Sequence, residues 1–421
     1  MARSSQIIAL VVLLAAPCLA QQKSLWVLKP TGDMLEYDLT TFATKQTVKV
    51  PLEAAKSPAS VSVNQSGQIL FAPTVSLPLS DEDVTSTHKV WFWNGHAATT
   101  VDAGVQHRIE AVGSNQAVTE LAPAVFLSAD GNHLSWFANQ QRRLQREAVD
   151  LSVTTTLEAW QTDTSGGSRQ DLATVKLPEC RCTTGSCEES CPSGVIWVPP
   201  DGMNTFFLVT QVVSGQAEIN YRASSLFQQT AGKWSTTNLP QPLHRVLDAV
   251  SGADTVIVEA IPDTGCCGWS NQSNDQTRVR MNGKTLTVFD EQATYRNSDY
   301  DVSFFTANAS LSPDLGYVAM TIAATAQVNQ PIQLSDQGQA NPEESKQIRK
   351  SLAELPAVEV KTLSDPPRRV AFLPHAVLVG WLNEKELLVL ENHLLVVYNI
   401  TAGTRRKSTL RVEDAAHVFL R

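Results

Sequence analysis

The sequence predicts an all-β chain closed into a single propeller of seven four-stranded blades. Three observations carry this prediction. A short polar turn recurs ahead of an apolar strand, the composition favours strands over helices, and the two chain ends supply the strands of one further sheet.

The turn reads Asn64-Gln65-Ser66-Gly67 before Ile69-Leu70-Phe71, and Ser128-Ala129-Asp130-Gly131 before Leu134-Ser135-Trp136. It returns as Pro200-Asp201-Gly202, as Ser251-Gly252-Ala253-Asp254 and as Ser312-Pro313-Asp314-Leu315-Gly316, and lastly as Asn383-Glu384-Lys385. An apolar run comes after each copy, and the internal units lie roughly 50 to 70 residues apart. Each unit holds three or four short strands, many with the alternating pattern of a half-buried sheet. Four-stranded sheets repeated radially make a propeller, which protects the strand edges.

The ends complete the count. Leu25–Leu28, Met34–Leu39 and Gln46–Val50 read as three strands lacking an inner partner, and Ala415–Leu420 as a strand lacking a sheet. Joining them closes the ring. The predicted blades are 412–421 with 24–51, then 58–102, 120–177, 193–241, 243–291, 303–373 and 374–411.

Residues 1–20 read as a secretory signal: Arg3, the apolar run Ile7–Ala16, then Cys18-Leu19-Ala20 ahead of cleavage at Gln21. That run is too short to span a bilayer, and no later stretch is long enough, so the expected product is a periplasmic or secreted propeller domain over 21–421. The net charge is −9 with no basic cluster, which argues against nucleic acid as a partner.

Strand alternation sends first-to-second and third-to-fourth turns to one face of a propeller. Second-to-third loops and blade connections go to the other. The recurring turns belong to the first class and are short. The long segments 73–88 (with Asp81-Glu82-Asp83), 138–147, 178–192, 262–277 and 326–356 belong to the second. Long loops on a rigid scaffold are where binding resides. Arg142, Arg143 and Arg146, together with Trp269, are the candidate binding-face residues. Within 326–356 a helix is expected from Asn341 as N-cap, Pro342 at the first position, Glu344, and Pro356 as the stop.

Six cysteines come after the signal: Cys180, Cys182, Cys187, Cys191, Cys266 and Cys267. An even set in an exported chain predicts disulfides stapling the loop-rich face, with 15 connectivities open. Adjacent Cys266 and Cys267 strain the peptide if bonded together, so each is expected to join a cysteine of 180–191. Two other readings stand beside this one. Cys180 to Cys191, helped by His244, has some of the character of a zinc or copper(I) site, although zinc prefers Cys-x₂₋₄-Cys pairs. Cys266-Cys267 as a vicinal disulfide resembles quinoprotein alcohol dehydrogenases in those two letters only.

The Ser-x-Asp-Gly turn with an apolar strand behind it resembles the WD-repeat-like blades of the TolB type, found in bacterial periplasmic and exported propellers. The resemblance covers most of the chain and implies the fold. Three departures stand: Gln65-Ser66 rather than Asp precedes Gly67, the last copy has no Gly, and the Trp-Asp ending of WD repeats is absent. Because it points to bacteria, the sequons at Asn64, Asn271, Asn308 and Asn399 are read as chance.

No nucleophile elbow, His-Glu-x-x-His or phosphate-cradling loop occurs in the sequence. No catalytic residue, metal or cofactor is assigned. The expected function is an interaction platform for an envelope or extracellular protein, peptide or glycan. The alternative is a propeller-type hydrolase or lactonase using Asp248, Glu259, Asp290 and Glu391 around the channel, with calcium as a possible aid. Trp136, Trp197 and Trp381 are expected in the blade core.

Overall fold

A computed structural model describes residues 23–421 except 65, 74–84, 87–88, 103–104, 107, 113–114, 120–122, 129–130, 148–149, 179, 183–191, 200–205, 215–218, 231–232, 252–254, 262–275, 292, 294–301, 326–341 and 413–415. Among the described residues seven antiparallel sheets succeed one another as the blades of a propeller. From the innermost strand outward, blade 1 consists of His417–Leu420, Leu25–Leu28, Asp33–Tyr37 and Thr44–Lys49. Blades 2 and 3 are built on the innermost strands Val61–Val63 and Pro123–Leu127. Blades 4 to 7 begin with Pro192–Trp197, Arg245–Val250, Phe304–Leu311 and Ala376–Trp381. Each blade lies within a few residues of its predicted bounds.

The tail pairs with the head as the sequence requires, Leu25 opposite Leu420 through Leu28 opposite His417. Period-two alternation then serves two junctions at once. Val418 and Leu420 pack toward blade 7 with Leu25, Val27, Leu388 and Val397, while Phe419 packs toward blade 2 with Trp26 and Ile69. Arg406 of blade 7 adds a second latch: its guanidinium lies over the Phe42 ring of blade 1 and donates to the Thr40 carbonyl at 3.1 Å.

The core is a circle of seven apolar clusters, one at each junction between successive blades. A sheet buried on both sides needs a neighbour on each, so no blade completes its own core.

The recurring turn owes its residues to hydrogen bonding. The backbone N–H of Gly131 donates to the Ser128 carbonyl at 3.0 Å, and the Ser128 hydroxyl accepts from His133 N as the chain re-enters the strand. Ser312 repeats this with Leu315 and Tyr317, and Asn64 with Gly67 and Gln68. Gly67 and Gly131 take positive φ, and in the Ser312 copy Leu315 does so instead of Gly316. The Asp201-Gly202 copy lies outside the described residues.

The expected helix forms at Pro342–Ala353, but it is not a loose insertion. Ile348 and Leu352 are buried in the blade 5–6 cluster beside Phe304 and Ile322. Trp136 and Trp381 lie in the core as expected, and Trp197 is partly buried against the blade 4–5 cluster.

Candidate functional site

At the axis the inner strands of blades 1, 5, 6 and 7 surround a hollow of about 600 Å³. Its shape arises from a local irregularity repeated three times. The inner strands of blades 5, 6 and 7 each carry one extra residue, Leu247, Ala307 and Val379. Such bulges bend a strand and re-aim the next side chain. The residues re-aimed in this way are Asp248, Asn308 and Gly380, all lining the hollow. Asp248 and Gly380 interrupt mainly apolar runs, which is a sequence signal for a bulge that went unread; Asn308 lies between Thr306 and Ser310 and carries no such signal.

Two of these side chains staple blades together. Asp248 Oδ2 accepts from Leu311 N at 2.7 Å, and its Oδ1 accepts from Ala249 N at 2.9 Å. Asn308 Nδ2 donates to the Leu378 carbonyl at 3.1 Å. At Gly380 the reason is space, since a Cβ there would sit 3.0 Å from Leu420 Cδ2. Asp248 is the single carboxylate side chain among the described residues that line the hollow, and His417 the single imidazole. Burial pulls the His417 pKa down, which favours its neutral form.

The other carboxylates expected at the channel lie elsewhere, which corrects the proposed convergence. Strand position accounts for this: the hollow is lined mainly by innermost strands, and these three residues sit on second or outermost strands and are not among its lining. Asp290 ends the outermost strand of blade 5 and accepts from Gln276 Nε2 and Ala293 N. Glu391 ends the second strand of blade 7 and pairs with Arg405 at 3.1 Å.

Glu259 is fully buried on the second strand of blade 5. Its Oε1 accepts from Arg280 Nε at 2.6 Å, and its Oε2 lies 3.0 Å from His244 N and 3.1 Å from His244 Nδ1. Arg280 also donates to the carbonyls of Gln241 and Pro242. Burial works to raise the Glu259 carboxyl, but the hydrogen bonds from His244 and Arg280 outweigh it and hold the group below the usual carboxylate value. The cluster clamps the 241–244 connection onto blade 5. Tyr221 of blade 4 approaches the His244 ring at 4.8 Å, and burial raises its phenol against the opposing charge of Arg245.

The opposite class of site is the connection face. The segment 138–147, read from sequence as a loop, instead belongs to the strand His133–Glu147, which pairs with Asp150–Asp163. The innermost strand of blade 3 pairs only as far as Ala138. The register from Gln141–Thr156 to Glu147–Asp150 therefore rises free of it. At ~3.3 Å per residue this arm extends roughly 20 Å. Its first strand, Gln141 to Glu147, has Leu144 as its one apolar residue and so lacks the alternation that marks a blade strand. Arg142, Arg143 and Arg146 pair on it with Thr155, Thr154 and Leu151.

Cys180–Cys182 is a short third strand on this arm, opposite Leu151–Val153. A hairpin of Arg108–Val112 with Asn115–Thr119, unanticipated from sequence, lies beside it. Blade 4 also carries long second and third strands, Phe206–Ser214 and Ile219–Thr230. Cys187, Cys191, Cys266, Cys267, Trp269, the acidic run 81–83 and the sequon Asn271 lie outside the described residues. Of the other sequons, Asn64 is fully buried, Asn308 lines the hollow, and Asn399 caps the turn at Thr401 and Ala402.

No family model matches the chain, and no curated protein matches it. Solved structures do. Dihydro-heme d1 dehydrogenase NirN, in complex with DHE, is 9% identical over 94% of this chain and 74% of its own, with a TM-score of 0.42. Apo AztD from Citrobacter koseri is 8% identical over 94% of this chain and 98% of its own, at 0.38. The acylaminoacyl peptidase of Pyrococcus horikoshii is 11% identical over 90% of this chain, at 0.38, and this chain spans 48% of its length.

Proposed function

We propose that this chain is an exported, TolB-like propeller whose connection face is a platform for an envelope or extracellular protein, peptide or glycan. One observation carries the reading. The raised arm of blade 3, the long hairpin of blade 4 and the helix-bearing insertion of blade 6 all leave on the same face, while the opposite face carries short turns. The arm is a strand pair that runs on past the innermost strand of blade 3, which suits contact with a large partner. Disulfides among the six cysteines would fix the neighbouring loops, and Cys180 and Cys182 already sit on the arm's edge strand. The hydrolase reading draws less support, because the one carboxylate side chain seen at the hollow has both oxygens engaged by backbone N–H groups.

The test is chemical crosslinking in intact cells and then capture of the tagged chain. A variant carrying Arg142→Glu, Arg143→Glu and Arg146→Glu is compared with Lys284→Glu, a change on the short-turn face. Loss of a crosslinked partner in the first variant alone is the expected result. Equal recovery from both, or no partner at all, would sink the platform.

A further inference from the structure

The central hollow answers to a different ligand from that of the connection face. We propose that it is a binding site for a small, uncharged molecule with an apolar body and a few hydrogen-bonding groups.

Its volume, about 600 Å³, falls within the range of ~300–1,000 Å³ usual for small-molecule sites. Its wall mixes polar side chains with aliphatic ones, Leu247, Leu378, Val379 and Leu390 among the latter. Exposed large apolar side chains are few in the described residues, and two of the five face this one hollow: Val250 at 40% and Val377 at 37% exposure. Apolar surface left in a hydrated hollow is stabilised when a ligand covers it.

The polar groups say what that ligand carries. Asn308 Oδ1, the Ser310 hydroxyl and the His417 imidazole have no hydrogen-bond partner among the described residues, and all three line the hollow. Together they accept and donate without bearing charge, His417 being biased to its neutral form by burial. Each charged side chain of the lining makes at least one hydrogen bond to backbone. Asp248 accepts from Leu311 N and Ala249 N, Lys23 donates to the Trp381 carbonyl, and Arg421 donates to the Leu420 carbonyl. A charged ligand would have to be desolvated beside the aliphatic side chains, which disfavours it. A small neutral guest fits the lining best. Gly380 contributes by leaving the wall beside Leu420 without a side chain.

The probe is Nile red, a neutral heteroaromatic dye, titrated by fluorescence into chain 21–421. Saturable binding to one site is expected. Val377→Lys, which puts a charge on the wall, should weaken it by about tenfold or more. Ser310→Ala should weaken it by about two- to tenfold. Leu52→Lys, at an exposed apolar residue remote from the hollow, should leave it unchanged. Thermal melts report whether each variant folds, and Val250→Lys replaces Val377→Lys if the latter does not. Non-saturating binding to the unaltered chain, or equal weakening by Leu52→Lys and the wall variants, would overturn the proposal.

Discussion

Glu259 and Arg280 form a buried ion pair whose worth lies in what it holds. The carboxylate receives His244, the guanidinium reaches the Gln241 and Pro242 carbonyls, and the connection between blades 4 and 5 is tied down. Removing one partner leaves a buried charge uncompensated. Arg280→Met is therefore expected to cost about 3–5 kcal/mol at neutral pH by chemical denaturation. The depressed Glu259 value also sets a pH dependence. Its contribution is fully present above the ordinary carboxyl value of 4.5 and is lost as pH falls through the lower folded value. Glu259→Gln should flatten that part of the acid limb of stability against pH, and an unchanged limb would count against the clamp. Neither partner was legible as a pair, because 259 and 280 meet only after two strands align. By contrast, Ser128 and Ser312 were legible as turn residues, since their hydrogen bonds close within a few residues.

Strands carried the sequence reading further than loops did. Apolar alternation marks a strand that buries one face, and together with the recurring turns and the two chain ends it placed all seven blades to within a few residues. The arm over 141–147 escaped notice for the converse reason: Gln-Arg-Arg-Leu-Gln-Arg-Glu carries no apolar alternation and reads as polar loop. The helix Pro342–Ala353 was visible through the proline at its first position and Pro356 beyond its end; the expected cap Asn341 lies outside the described residues. Its role was not, because only packing shows that Ile348 and Leu352 close the blade 5–6 core. Ile348→Ala should cost about 2–5 kcal/mol. Exposed Lys346→Ala should change stability by no more than ~0.5 kcal/mol. Equal costs from denaturant melts would mean that the helix is not docked.

The whole molecule depends on closure. The strand His417–Leu420 completes blade 1 and contributes to the clusters on both sides of it. Ending the chain at residue 415 would uncover Leu25, Trp26, Val27 and Leu28, which are now buried, and expose an unpaired strand edge. Such a chain is expected to lose more than ~3 kcal/mol and to aggregate, read by thermal melting and light scattering. A soluble product with an unshifted melt would contradict a ring locked by its ends.

What the sequence determined alone is local: turn chemistry, strand alternation, and a head and tail that each lacked a partner. Those three set the blade count and the closure, because hydrogen bonds within a turn and one-sided burial leave their mark within a few residues. Tertiary structure decided which side chains meet. Asp248, Asn308, Gly380 and His417 share a hollow, and Glu259 does not, because bulges and blade order set their orientation across 170 residues of chain. Contacts between residues so far apart in the chain have no short-range signature, so only the closed ring displays them.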